Sequence, residues 1–165
     1  MLYIHSTNIS VPVRIYRYGE VKVMSSYYFT NSDQGPPSSG VDGGKNCEDG
    51  NNWVCEHRWK GIANMVQWRN IAGTSEVDNW TNGNSNQIAF SRGDSAFIAM
   101  NRDSQEWSFT ASTSLSNGTY CNVLYDNDSD DTSSCSNVVN VDSDGKAEIT
   151  VPALYAIAIH NAAKK

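Results

Sequence analysis

The 165-residue chain carries 12 Lys and Arg against 18 Asp and Glu, a net charge of −6, and 39% of its residues are hydrophobic. This balance is typical of a globular protein and argues against a nucleic-acid-binding surface, which needs clustered basic residues. The sequence contains no run of about 18 apolar residues, so no membrane-spanning helix is predicted. The first residues, MLYIHSTNISVPVR, also lack the apolar core of a signal peptide.

Cysteines and glycosylation sequons nevertheless favour an extracellular protein. There are four cysteines, an even number, and four Asn-X-Ser/Thr sequons, which predict N-glycosylation sites at Asn8, Asn79, Asn117 and Asn127. Sequons arise by chance in chains rich in Asn and Ser, so the cysteines carry more weight. A secreted character without a leader leads us to expect an incomplete chain.

The first predicted element is a strand over residues 21–29, VKVMSSYYF. It is rich in β-branched and aromatic residues and has apolar residues on both faces, as in a strand of a parallel sheet that is buried on both sides. Residues 30–52 are rich in Gly, Pro, Ser and Asp and predict a loop.

Residues 56–72 predict the one convincing helix. Its predicted buried stripe has i, i+3, i+4, i+7 spacing and consists of Trp59, Ile62, Ala63 and Val66. Trp68 and Ile71 point away from that stripe, so we expect the helix to be covered from two directions. Gly73 is the predicted stop.

After residue 73 the hydrophobic period changes to two. Apolar and small polar residues alternate along residues 107–115. The other predicted strands are short and separated by Gly and Asn turns; they cover residues 87–90, 96–100, 120–125, 138–141, 147–151 and 155–159. This spacing predicts an antiparallel β-sandwich.

Four cysteines allow three pairings. Pairing between neighbours in the sequence is favoured, because Cys47 and Cys55 bracket one short loop and Cys121 and Cys135 bracket another. Neither pair has the C-x₂₋₄-C spacing of a zinc site, so structural disulfides are expected.

An acidic segment, DNDSDDTSSCS at residues 126–136, places Asp126, Asp128 and Asp130 in the register of a calcium-binding loop. Asp131 stands where such a loop needs Gly, and Asn137 where it needs a bidentate Glu. The segment is therefore interpreted as a solvated loop.

The types and spacing of the remaining polar residues do not indicate a particular catalysed reaction. His57, at the start of the helix, is expected to form structural hydrogen bonds, and His160 to cap a strand or lie on the surface. Glycoside hydrolysis needs two carboxylates at a fixed separation, one of them with a raised pKa. The candidates, which no spacing distinguishes, are Asp33, Asp42, Asp103 and Glu106.

Four stretches of the chain, in order, resemble the C-terminal third of animal-type, chloride-dependent α-amylases. The motif YGEVKVMSSY is similar to the family's YG-x-x-[RK]-VMSSY, and NWTNGNSNQIAFSRG to its NW…NGSNQVAFGRG. Between them lie GPP and WVCEHRW, the latter followed by MV and RN as in the family. The tail adds GTYCNV and AIH, so the similarity runs from about residue 16 to residue 165.

The resemblance implies a fold. Such enzymes have a (β/α)₈-barrel, or TIM barrel, followed by a small antiparallel β domain. By that likeness, residues 1–14 are an atypical segment, residues 15–72 the last strand and helix of an incomplete barrel, and residues 73–165 a Greek-key β-sandwich. The whole is mainly β, and the family's bridges correspond to Cys47–Cys55 and Cys121–Cys135.

The resemblance also carries one functional residue. The family's catalytic carboxylates and calcium ligands lie upstream of the matching segment, so no catalytic or metal-binding residue is expected in this chain. The basic residue before VMSSY is a chloride ligand in the family, and here it is Lys22. Lys in place of the more usual Arg predicts weaker chloride binding, because an ammonium lacks the guanidinium fork. The alternative for Lys22 is a buried structural cation.

Two functions follow as expectations. The first is part of a secreted α-amylase that hydrolyses α-1,4-glucans, with calcium and chloride in the complete enzyme and no activity in this chain alone. It would be a monomer that packs against the rest of the barrel and has no nucleic-acid or membrane partner. The second is a stand-alone module that binds glucan or a protein. Trp80 is its main candidate for stacking on sugar, because Trp53, Trp59, Trp68 and Trp107 belong to the predicted core.

Overall fold

The computed structural model describes residues 23–42, 45–48, 51–125 and 134–165. Within these residues, helix α1 (Lys60–Ala72) follows a 3₁₀ turn (Glu56–Arg58), and another 3₁₀ turn (Asn161–Ala163) lies near the C-terminus. The strands, in chain order, are β1 (Cys47–Glu48), β2 (Asn51–Asn52), β3 (Val77–Asn82), β4 (Gln87–Arg92), β5 (Ala96–Asn101), β6 (Trp107–Ser112), β7 (Gly118–Cys121), β8 (Val138–Val141), β9 (Lys146–Val151) and β10 (Tyr155–His160).

A four-stranded antiparallel sheet in the order β10-β5-β4-β3 forms the centre of the fold. All six residues of β5 are buried, whereas five of the six residues of the edge strand β3 are exposed. Since successive side chains of a strand point to opposite faces, β5 must be covered on both sides. The sheet is therefore a middle layer with a hydrophobic cluster on each face.

The first cluster lies between the sheet and helix α1. From the helix come Met65, Trp68 and Ala72, and from the sheet come alternate residues such as Phe90 and Ile98. All five are at most 1% exposed. The helix is thus held to the sheet by close packing of large apolar side chains.

The second cluster covers the opposite face. It packs the other set of alternate residues, among them Phe97 and Ile159, against two further sheets, β6 with β9 and β7 with β8. Strand β10 lies beside β5, and β6 lies beside β9, so neighbours in space are distant in sequence. The mainly-β antiparallel sandwich predicted from the sequence is confirmed, with the helix as an additional layer.

Gly83 permits one close contact of the second cluster. A β-carbon there would lie 2.6 Å from Nε1 of Trp107, closer than real β-carbons approach. The Trp107 ring, which is stacked on Phe109 with centroids 3.9 Å apart, occupies this space. The turn between β3 and β4 therefore requires glycine for a packing reason.

The buried face of the helix was predicted wrongly. Ile62 of the predicted stripe is buried, but Trp59 is 43% exposed, and Ala63 and Val66 are exposed as well. The buried stripe instead runs through Ile62, Met65, Trp68 and Ala72. Trp59, at the N-cap of helix α1, and Val66 within the helix are apolar residues that the described part of the chain does not cover.

The strand predictions were partly wrong. Within residues 23–29 the structure has no strand, only an isolated bridge from Tyr27 to Trp53. A parallel barrel strand needs partners on both sides, and the described residues supply one short contact. Strand β3 was missed because its residues are mostly polar. The chain after Cys121 turns instead of extending to residue 125 as predicted.

No helix within the described residues is long and apolar enough to cross a membrane.

Candidate functional site

The two most specific motifs of the sequence are joined to each other by hydrogen bonds. Ser26 of VMSSY donates its backbone N–H to Oε2 of Glu56 at 2.8 Å, and its hydroxyl donates to Oε1 of the same carboxylate. Ser25 Oγ accepts the backbone N–H of Cys55 at 2.7 Å. The backbone adds a bond from Val54 N–H to the carbonyl of Ser26 at 2.8 Å. We call these residues, Ser25, Ser26, Val54, Cys55 and Glu56, the motif junction.

Aromatic packing and a disulfide support the motif junction. Tyr27 meets Trp53 edge-to-face with ring centroids 6.0 Å apart, and Trp53 Nε1 donates to the Ser39 carbonyl at 2.8 Å. Cys55 is bonded to Cys47 and has a left-handed backbone, with φ at 58°. The junction thus fixes the segment before the helix to the helix start by contacts 30 residues apart in sequence.

Both predicted disulfides are formed. The Cα atoms of Cys47 and Cys55 are 5.6 Å apart, and those of Cys121 and Cys135 are 5.9 Å apart, within the usual range for bridged cysteines. These pairings between sequence neighbours leave no free cysteine. The sequence prediction of structural disulfides is confirmed.

Several predicted residues lie outside the described residues, namely Lys22, Asn8, Asn127 and the acidic run from Asp126 to residue 133. Chloride binding by Lys22 and the interpretation of the acidic run therefore stay predictions. Among the residues that the structure describes, no three His, Cys, Asp or Glu side chains come together in a way that could hold a metal ion.

Two of the four carboxylates considered for glycoside hydrolysis, Asp103 and Asp42, are engaged by neighbouring residues. Asp103 accepts hydrogen bonds from Asn84 Nδ2 at 3.0 Å and from the backbone N–H of Ser104 at 2.7 Å. These bonds lower the pKa of Asp103, whereas a general acid of this chemistry needs a raised pKa. Asp42 forms an exposed ion pair with Lys45 at 3.6 Å.

His160 was predicted to lie on the surface or cap a strand, and this is wrong. The side chain is fully buried at the end of β10, opposite Ala96. Neither of its ring nitrogens has a hydrogen-bond partner within the described residues. Burial disfavours the charged imidazolium and lowers the pKa of His160 to about 4.

This burial predicts a loss of stability in mild acid. Because the pKa of His160 is about 4 in the folded protein and about 6.5 in an unfolded chain, the unfolded state binds more protons between these values. The free energy of unfolding should fall by up to about 3 kcal/mol as the pH drops from 6.5 to 4. Urea unfolding at a series of pH values measures this fall. In a His160→Leu variant the fall should be smaller by that amount, and an identical fall in both proteins would contradict the prediction.

Of the four sequons, the structure describes two. Asn79 lies in β3 and Asn117 lies in the turn before β7; both residues are exposed. The hydrogen bonds of the two amides differ, as described below.

Of the motif junction residues, only Cys55 had a role predicted from the sequence, in the disulfide with Cys47. Ser25, Ser26 and Glu56 belonged to the two sequence motifs, but no contact was predicted for them. Two serines inside an otherwise apolar segment were a signal, because a covered hydroxyl, such as that of the half-buried Ser25, needs a hydrogen-bond partner.

Comparison with known proteins shows the family. Residues 77–162 match the model of the α-amylase C-terminal all-β domain. The chain is 42% identical over 161 residues to the α-amylase of Pecten maximus and 40% identical over 151 residues to pancreatic α-amylase 2a5 of Mus musculus. These matches cover 90% and 81% of this chain but only 31% and 29% of the two relatives.

A solved structure supports the same family. Wild-type α-amylase I of Eisenia fetida superposes with a TM-score of 0.77 and 34% sequence identity, covering 93% of this chain and 34% of that one. The fold and sequence define an α-amylase C-terminal all-β domain with a preceding helix. The chain belongs to the α-amylase family and spans about a third of the length of the relatives that it matches.

Proposed function

We propose that this chain is the C-terminal part of a secreted α-amylase that hydrolyses α-1,4-glucosidic bonds in starch or glycogen. The observation that carries the proposal is the match to wild-type α-amylase I of Eisenia fetida over 93% of the chain. That match includes residues before the all-β domain at residues 77–162, so it is not a likeness of a β-sandwich alone.

The domain assignment belongs to this proposal. Residues 15–72 are the last β/α unit of the catalytic barrel, and residues 73–165 are the C-terminal domain. The motif junction supports this, because Ser25 and Ser26 are hydrogen-bonded to Cys55 and Glu56, just before helix α1. The exposed Trp59, at the N-cap of helix α1, and the exposed Val66 within the helix would then pack against the rest of the barrel.

The catalytic carboxylates and the calcium ligands would come from the part of the enzyme that precedes this segment. The lowered pKa of Asp103 does not suit a general acid, which agrees with this division. Lys22 would contribute to a chloride site, binding more weakly than an arginine would. The complete protein would be an extracellular monomer.

The isolated 165-residue chain is accordingly expected to release no reducing sugar from soluble starch. A retaining hydrolase needs two carboxylates about 5 Å apart, one of them a general acid, and in this proposal both come from the part of the enzyme that precedes this segment. The assay compares the purified chain with an intact α-amylase at equal concentration. Turnover that survives repurification of the chain would contradict the proposal.

One observation favours a second function, glucan binding by the chain alone. The Trp80 side chain is 53% exposed and is stacked parallel to Phe90, with centroids 5.4 Å apart and planes at 8°. Its Nε1 donates to Asn82 Oδ1 at 2.9 Å. An exposed indole fixed in this way offers a flat apolar face of the kind that sugar C–H groups contact.

Calorimetric titration with maltoheptaose distinguishes the two functions. A stand-alone glucan-binding module would give a heat of binding at millimolar sugar that disappears in Trp80→Ala and persists in Leu154→Ala, a change at another exposed apolar residue. We expect no heat, because one aromatic contact is worth about 1 kcal/mol, too little for measurable binding. A saturable heat that depends on Trp80 would establish the second function.

A further inference from the structure

The two sequon asparagines that the structure describes use their amides differently. Asn79 Nδ2 donates to Ser114 Oγ at 2.7 Å and to Ser91 Oγ at 3.1 Å. A side-chain amide nitrogen carries two hydrogens, so both are engaged. Ser91 is itself fully buried and donates to the Thr113 carbonyl at 2.8 Å.

The Asn79 amide is therefore a structural link between β3, β4 and the chain after β6. Its backbone supports the same interpretation, because Asn79 has φ at 54° where the β3–β4 register shifts between Asp78 and Thr81. Asparagine tolerates this left-handed conformation better than most residues. A glycan on Nδ2 would replace one of the two donated hydrogens and place a sugar against the Ser91–Ser114 pair.

The Asn117 amide forms no hydrogen-bonded link of this kind within the described residues. It is exposed, and within the described residues no hydrogen bond involves its side chain. Its neighbours are fixed instead: the Ser116 carbonyl accepts the Tyr120 hydroxyl at 2.7 Å, and Thr119 Oγ1 donates to Asn140 Oδ1 at 2.8 Å. The turn therefore presents a free amide between two anchored residues.

We propose that Asn117 is an acceptor of an N-linked glycan in this protein and that Asn79 stays unmodified. In the transfer, Nδ2 of Asn117 forms a bond to C1 of the sugar of a lipid-diphosphate-linked oligosaccharide. The C1–O bond to the diphosphate breaks, the lipid diphosphate leaves with the electron pair, and one Nδ2 proton passes to a base of the transferase. Thr119 supplies the hydroxyl of the sequon before the chain folds and that hydroxyl donates to Asn140.

The proposal rests on the extracellular location proposed above, but its test does not use starch hydrolysis. The full 165-residue chain is fused to a secretory leader, expressed in a eukaryotic cell and recovered from the medium. Peptides are mapped by mass spectrometry before and after treatment with an N-glycosidase that converts a glycosylated Asn to Asp. If none is secreted, chain translocated into microsomes is mapped in the same way.

The expected result is a glycan on the peptide that contains Asn117, in a protein whose Cys121–Cys135 bridge has formed. Thr119→Ala should remove this glycan, whereas the matched Thr119→Ser, which keeps the sequon, should retain it. Asn79 should be unmodified in all three proteins. An unmodified Asn117 peptide, or a glycan on Asn79 in the bridged protein, would overturn the proposal and leave the assignment to the α-amylase family untouched.

Discussion

Replacing Trp68 by alanine should lower the free energy of unfolding by about 3–5 kcal/mol. The indole is fully buried in the cluster between helix α1 and the central sheet. Its Nε1 also donates to the carbonyl of Ile159 at 3.0 Å, with a longer contact of 3.3 Å to that of Phe97. Truncation therefore removes a large apolar group, leaves a cavity and deprives two sheet carbonyls of a donor.

Denaturant unfolding followed by circular dichroism measures this loss. Trp59→Ala, at the N-cap of the same helix, is the matched control, since that side chain is 43% exposed; it should cost less than about 1 kcal/mol. Because a domain of this size is stabilised by about 5–15 kcal/mol in total, Trp68→Ala should be close to the limit of folding. Equal losses in both variants would show that the helix does not pack as described.

The second large effect is expected at Arg92, a cation with no exposed surface. Its guanidinium donates from Nε to the Ser75 carbonyl at 2.9 Å and from Nη2 to the Gly73 carbonyl at 3.2 Å. Gly73 is where helix α1 ends, and Arg69 also donates to its carbonyl. Arg92 thus holds the segment that connects helix α1 to β3 against the sheet.

Arg92→Ala should cost about 3–5 kcal/mol of stability, because charged hydrogen bonds are worth about 1.5–3 kcal/mol each and both carbonyls lose a donor. Arg92→Lys should cost less, since an ammonium can reach one carbonyl but cannot donate as a fork. Arg102→Ala, at an exposed arginine one strand further along, serves as the control. A loss of under 1 kcal/mol in Arg92→Ala would contradict the role given to this residue.

The sheet architecture could be predicted from sequence because short alternating segments bounded by Gly and Asn turns have few other interpretations. Which side of helix α1 is buried could not be predicted from the sequence. Helix α1 carries apolar residues on two sides, and periodicity alone cannot tell which side meets the β-sandwich. The structure buries the Met65 and Trp68 side against the sheet and leaves the Trp59 and Val66 side exposed.

Two other features of the structure were not predicted from the sequence, each for a physical reason. His160 is polar by residue type, yet it ends an apolar strand, and burial depends on the cluster around it and not on its identity. The motif junction joins residues 30 positions apart in sequence, and no local pattern encodes such a contact. The sequence motifs indicated the family, but only the structure showed that Ser26 and Glu56 contact each other.

The central claim is that this chain is a working C-terminal part of an α-amylase. It is tested most directly by transferring the segment into a related enzyme. Residues 15–165 would replace the matching segment of the Eisenia fetida α-amylase I, and reducing-sugar release from soluble starch would be measured. We expect the hybrid enzyme to retain activity within about tenfold of the parent, equivalent to about 1.4 kcal/mol in the activation barrier. The parent lacking this segment is the control. A folded hybrid with both disulfides formed and activity no higher than that control would contradict the claim.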